Sequence, residues 1–100
     1  MASLITIWWR DIPMQVIARE GRRTEKRVLD KRFQIAVDKA AMKAGKKSYG
    51  DYIEEMRRGE RDCGPELEAE ADAEMARLDA AYSKDVLHGL IASGGVGERL

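Results

Sequence analysis

The spacing of apolar residues along this chain changes period near residue 30. Before that point, β-branched and aromatic side chains come in short runs. Leu4 to Trp9 (LITIWW) predicts a first strand, since such residues suit a pleated, half-buried surface. In a regular strand Ile5, Ile7 and Trp9 share one face and Leu4, Thr6 and Trp8 the other. Apolar residues on both faces make this strand central or covered. Asp11-Ile12-Pro13 interrupts the run, because proline removes a donor and holds Ile12 extended. Met14 to Arg19 alternates again and predicts a second strand. Glu20-Gly21-Arg22-Arg23 is a turn, with Gly21 free to take positive φ. Thr24 to Leu29 predicts a third strand, with Thr24, Lys26 and Val28 on one side.

After residue 30 the period becomes helical. Asp30 is placed as an N-cap, its carboxylate accepting from the next turn. Phe33, Ala36, Val37, Ala40, Ala41 and Ala44 follow at i, i+3, i+4, i+7 spacing, which predicts an amphipathic helix with a narrow, alanine-rich inner face. Gly45 ends it. Ser48 and Asp51 resemble a capping box, opening a second helix with Tyr49, Tyr52, Ile53 and Met56 on its stripe and its end near Gly59. Residues 59–64 (GERDCG) read as a loop. Pro65 suits the first position of a third helix, whose apolar edge is Leu67, Ala71, Met75, Leu78 and Tyr82. Ser83 opens a short fourth helix with Val86, Leu87, Leu90 and Ile91. Strands followed by helices predict an α+β fold: a small antiparallel sheet of about three strands covered by three or four helices. Residues 1–92 are expected to form one such domain, with 93–100 (SGGVGERL) as a flexible C-terminal tail.

Composition narrows the function classes. One hundred residues, 44% hydrophobic and 36% charged, fit one globular domain and exclude general disorder. A single cysteine, Cys63, forbids an intrachain disulfide and, with only His88 beside it, a thiolate zinc site. Neither a signal-peptide pattern nor an apolar run of about 18 residues is present, so a cytoplasmic protein away from membranes is expected. The net charge of zero hides an asymmetry: residues 1–50 carry a net +7 and residues 51–100 a net −7. Such a split permits salt-sensitive self-association.

Catalytic chemistry finds little support. His88 stands among Val86, Leu87 and Leu90 with no nucleophile or acid beside it, and reads as an ordinary helix histidine. Cys63 precedes a helix, but Asp62 and Glu66 oppose its ionisation. Glu66, Glu68, Glu70, Asp72 and Glu74 alternate at spacing two, which scatters them around a helix instead of converging them on a metal. SGGVG near the C-terminus follows no strand and cradles no phosphate. No catalytic residue, metal site or cofactor is assigned. A small catalytic accessory using Cys63 remains as a third reading, to be judged by alkylation at neutral pH.

Binding finds more. The hairpin from Arg19 to Arg32 is basic, and Arg22 and Arg23 at its tip could contact phosphates. The plainer reading is a solubilising tip with charges that blunt edge pairing. Trp8 and Trp9 point to opposite faces of a regular strand, so one is core and the other is covered or shown to a partner.

The run WRDIPMQVIAREGRR, then KRFQIAVDKAAMKAG, then DYIEEMRRG resembles a small bacterial family, the virulence factor family. Similar domains close larger repeat-containing proteins, the conserved virulence factor C proteins. The matching positions are Trp8, Trp9, Arg10, Asp11, Ile12, Pro13, Gln15, Val16, Gly21, Arg22, Arg32, Phe33, Asp38, Ala40, Ala41, Met42, Tyr52, Arg57 and Arg58. Met56 departs where the family often has tryptophan. The resemblance covers residues 4–60 and brings no biochemical activity with it. It implies an accessory role beside folate- and corrinoid-dependent methyl-transfer enzymes, with no ligand residue to name.

The reading is therefore a non-catalytic accessory module that binds an unidentified protein partner. The candidate contact residues are Trp8, Trp9, Arg10, Asp11, Gln15, Arg22, Arg23, Arg57 and Arg58. Arg10 and Asp11 are expected to form an ion pair or cap at the turn, joined by Gln15. The alternative is a nucleic-acid binder using the hairpin Arg19–Arg32.

Overall fold

The computed structural model describes residues 1–46 and 48–97. Strands β1 (Ser3–Trp9), β2 (Ile12–Glu20), β3 (Arg23–Val28) and β4 (Met56–Asp62) form one antiparallel sheet in the order β3-β2-β1-β4. Helices α1 (Lys31–Lys43), α2 (Tyr49–Glu54), α3 (Leu67–Ala81) and α4 (Lys84–Ala92) complete an α+β fold.

β1 is central, as its two apolar faces demand. Leu4 lies opposite Ala18 and Thr6 opposite Val16, and all four are buried. On this face the core is closed by Phe33, Ala36, Val37, Ala40 and Ala41 of α1, Leu67, Ala71 and Leu78 of α3, and Leu87 and Leu90 of α4. Ile5 is equally buried but stands outside that cluster, between Ile17 and Glu60 on the sheet's other face. Between Ile7 and Trp8 the register slips: Ile7 faces Gln15, whereas Trp8 faces Pro13. β2 thus carries Met14 as an extra residue, a bulge that re-aims the end of the strand.

Capping follows the side chains expected to provide it. Asp30 accepts from the backbone N–H of Arg32, Ser48 from that of Asp51, and Ser83 from that of Val86. Two boundaries differ from expectation. Pro65 lies before α3, whose N-cap is Glu66. The second helix stops at Glu54, and residues 56–62 are an edge strand, neither helix nor loop, so the sheet has four strands instead of about three. MRRGERD carries no strand pattern of its own. Its pairing with β1 over Ser3–Asp62 to Trp9–Met56 imposes the conformation.

The two charged halves of the sequence meet at α3: Arg27 of β3 pairs with Asp72 at 2.6 Å, while within the second half Arg61 of β4 reaches Glu74 at 3.6 Å. Arg32 of α1 reaches Asp79 at 2.9 Å. Exposed pairs of this kind contribute only about 0–1 kcal/mol each. Glu74 differs, because it is 6% exposed and held at both oxygens by Arg77, at 2.7 and 2.6 Å. Arg77 holds the Glu74 carboxyl below its ordinary range, against the opposing effect of burial.

Candidate functional site

The polar pair Arg10-Asp11 joins β1 to β2 in two residues. Arg10 takes φ of 51°, the sign that suits the twist of a tight hairpin but usually falls to glycine. A side chain there costs about 1–2 kcal/mol in backbone strain, and the bonds made by Arg10 offset it. Its backbone N–H donates to the Glu55 carbonyl at 3.0 Å, and its carbonyl accepts from Nε of Arg57 at 2.9 Å. Its guanidinium donates to the Gly94 carbonyl at 3.0 Å and to Oε1 of Glu55 at 3.1 Å. The Arg10 hydrogen bond is the main reason why the Glu55 carboxyl stays below its ordinary range.

Asp11 binds in the other direction. Oδ1 accepts from Arg57 at 3.2 Å and Oδ2 from the backbone N–H of Gly97 at 2.6 Å, while its own N–H donates to the Gly95 carbonyl at 2.9 Å. The anticipated Arg10–Asp11 ion pair does not form. Positive φ and the turn send the two side chains to different partners, Glu55 and Arg57. Gln15 does not join them, because it sits on β2 between Ile7 and Val28.

Both tryptophans meet the core. Trp9 is fully buried, with Nε1 donating to the Tyr52 carbonyl at 2.9 Å and its ring tilted over the Tyr52 ring at 5.8 Å. Gly95 packs on it so tightly that a Cβ would stand 2.7 Å from Cζ3. Trp8 is half-buried, stacked under the Arg57 guanidinium at 4.9 Å and edge-on to Tyr82 at 6.3 Å. Tyr82 in turn meets Phe33 edge-on at 6.1 Å. Burial pushes the Tyr82 phenol above its ordinary range, so it stays protonated at neutral pH.

Against this turn lies an open groove of about 610 Å³. Trp8, Arg57, Tyr82, Asp11 and Val96 line it together with Val86 and Leu90 of α4. Gly89 contributes no side chain to the floor. The surface is mixed: aromatic and aliphatic side chains lie beside Asp11, Ser93 and Arg57, and the Arg57 side chain is 56% exposed although it pairs with Asp11.

Of the candidate residues, the structure brings together Trp8, Trp9, Arg10, Asp11 and Arg57. Arg22 and Arg23 stand exposed at the opposite end of the sheet, and Arg58 faces away on β4, paired with Glu60 at 3.4 Å. Sequence reasoning missed Glu55, Tyr82, and Ser93 to Gly97. The last segment had been assigned to the tail, yet Gly94 and Gly95 are buried against the turn; residues 98–100 lie outside the described residues. A run of glycines gives no apolar period from which packing can be read.

Other candidates separate from the groove. Burial, and secondarily the charge of Glu70, pushes the Cys63 thiol above its ordinary range, the direction opposite to an activated nucleophile. His88 lies exposed on α4, beside Lys84 and Ile91. Among the described residues no group of three or more His, Cys, Asp or Glu could hold a metal, and no helix is long and apolar enough to cross a membrane.

A family model described as "Virulence factor" matches residues 7–91. The match begins within β1, takes in the turn, β2, β3, β4, α1, α2 and α3 and nearly all of α4, and so extends well past residue 60. No curated protein and no solved structure matches the chain.

Proposed function

The chain belongs to the virulence factor family, and we propose that it acts there as a non-catalytic accessory module that seats a segment of a protein partner in the groove beside the Arg10-Asp11 turn. One observation carries this reading. The groove combines aromatic and aliphatic side chains with polar ones, is backed by the hydrogen-bonded turn, and bears an exposed arginine over Trp8. Arginine over an aromatic ring is a frequent anchor of protein interfaces. The matching segment carries an apolar side chain, to cover the exposed Val86 and Val96, and a carboxylate to meet Arg57. Trp9, Arg10 and Asp11 then serve as the backing of the surface, while Trp8 and Arg57 touch the partner. A component of folate- and corrinoid-dependent methyl transfer is the partner that the family resemblance suggests.

The alternative reading, nucleic acid on the hairpin Arg19–Arg32, keeps the exposed Arg19, Arg22, Arg23 and Lys26 but loses part of its charge, because Arg27 and Arg32 are paired with Asp72 and Asp79. A tagged capture from native cells with Val86→Asp and with the double change Arg22→Glu/Arg23→Glu separates the two. The groove reading expects a stoichiometric protein that Val86→Asp loses and the hairpin change keeps. Nucleic acid that leaves as salt rises, and is lost with the hairpin change, would replace it with the alternative. Arg10→Ala that unfolds the turn yet leaves capture intact would remove the turn from the site.

A further inference from the structure

On the sheet face turned away from the helices, the strand register writes three cross-strand rows. The middle row is Lys26, Ile17, Ile5 and Glu60, across β3, β2, β1 and β4. Val28, Gln15, Ile7 and Arg58 form the row on one side, and Thr24, Arg19, Ser3 and Asp62 the row on the other. Ile5, Ile7 and Ile17 stand outside the core that the helices close; Ile5 is 2% exposed and already covered by its neighbours on this face, so the apolar contact falls to the half-buried Ile7 and Ile17 and to Val28, which is 68% exposed.

The middle row is antisymmetric: cation, apolar, apolar, anion. Neighbouring strands lie about 4.8 Å apart, so Lys26 and Glu60 are separated by roughly 14 Å within one copy and do not meet. A two-fold axis parallel to the strands, lying between two facing sheets, reverses the strand order of the second copy. It sets Lys26 opposite Glu60 of the second copy and Ile17 over the position of the buried Ile5, and symmetry repeats both placements. In the flanking rows it sets Val28 on the aliphatic stem of Arg58 and Thr24 against Asp62. The other two-fold arrangement, with the axis across the strands, stacks Lys26 on Lys26 and Glu60 on Glu60, which repulsion disfavours.

We propose that this face docks a second copy of the chain, sheet against sheet, about a two-fold axis parallel to the strands. Charges on both edge strands, among them Lys26, Arg58 and Glu60, oppose edge-to-edge pairing, which leaves the face as the contact. Four strands of about seven residues give a footprint of roughly 400 Å² per copy, near half that of a standard interface. The dimer is therefore weak and concentration-dependent. It uses none of the groove residues, so its fate is independent of the partner proposed above.

Sedimentation equilibrium from about 10 µM to about 1 mM tests the arrangement with Lys26→Glu, Glu60→Lys and their equimolar mixture. Both positions are exposed, so far-UV circular dichroism checks that each variant keeps its fold. Wild type is expected to dimerise, and each single variant to do so about tenfold more weakly or worse. The mixture is expected to recover wild-type affinity as a heterodimer, because the glutamate introduced at 26 meets the lysine introduced at 60 and the native Glu60 meets the native Lys26. A wild type that stays monomeric throughout overturns the proposal. So does a dimer whose affinity neither single change weakens, or one that the mixture fails to restore.

Discussion

Gly95→Ala probes the closure of the turn most directly. The new Cβ would stand 2.7 Å from Cζ3 and 3.2 Å from Cε3 of Trp9. The indole has nowhere to retreat: it is fully buried, packed against Tyr52 and tied to the Tyr52 carbonyl. Gly95 also has φ of +94°, which side chains rarely adopt. The left-handed backbone costs about 1–2 kcal/mol, and overpacking of a filled site about 1–3 kcal/mol. The combined loss of about 2–5 kcal/mol is a large share of the roughly 5–15 kcal/mol that stabilises a domain. At about 4–8 °C per kcal/mol, Tm should fall by at least about 8 °C and by 20 °C or more at the upper end. Thermal and urea unfolding followed by circular dichroism measure it. Gly89→Ala is the matched control: it is helical, with nothing within 4 Å of its Cβ, and should gain about 0.5–1 kcal/mol. A Gly95→Ala protein within about 0.5 kcal/mol of wild type would mean that residues 93–97 do not pack on Trp9, and the groove would lose Ser93, Val96 and Gly97 from its lining.

Three further outcomes follow from the same geometry. Asp30→Ala removes the bond to the Arg32 N–H at 3.1 Å and should cost about 1 kcal/mol in urea unfolding; no change would show that the helix start is held by packing alone. Glu74 has a folded pKa depressed from 4.5, so its contribution to stability is complete above that pH and is lost as pH falls through the lower folded value. Glu74→Gln should therefore destabilise at neutral pH and narrow its gap from wild type in acid; a constant gap would contradict the sign. Cys63, its thiol raised from 9.0 by burial, should react slowly with iodoacetamide at pH 7 and faster above pH 9. Rapid labelling at neutral pH would revive the catalytic reading of Cys63.

Where a residue's own chemistry decided its conformation, the sequence was readable. The β-branched and aromatic content of LITIWW, the alternation in MQVIAR, Gly21 at positive φ, the Asp30 and Ser83 caps and the alanine face of α1 all act locally. β4 was not readable, because MRRGERD becomes a strand only by completing the hydrogen bonds of β1. That one difference relocates the adjacent arginines: as strand neighbours, Arg57 turns to Trp8 and Arg58 to the opposite face. The importance of Arg10 and Asp11 was legible from two charges set between apolar runs. Their partners were not, since Glu55, Gly95 and Gly97 are far along the chain and two of them have no side chain to announce a contact.

The bonds from Arg10 to Gly94 and from Asp11 to Gly97 span 84 and 86 residues of sequence. Contacts of such separation form late, after shorter loops have closed. During synthesis, the β1–β2–β3 hairpins and α1 can assemble while the rest of the chain is still inside the ribosome. The groove cannot, because residues 94–97 follow the turn they close by more than 80 residues. The groove is thus completed only after the sheet and α1 beneath it can have formed, an ordering enforced by topology.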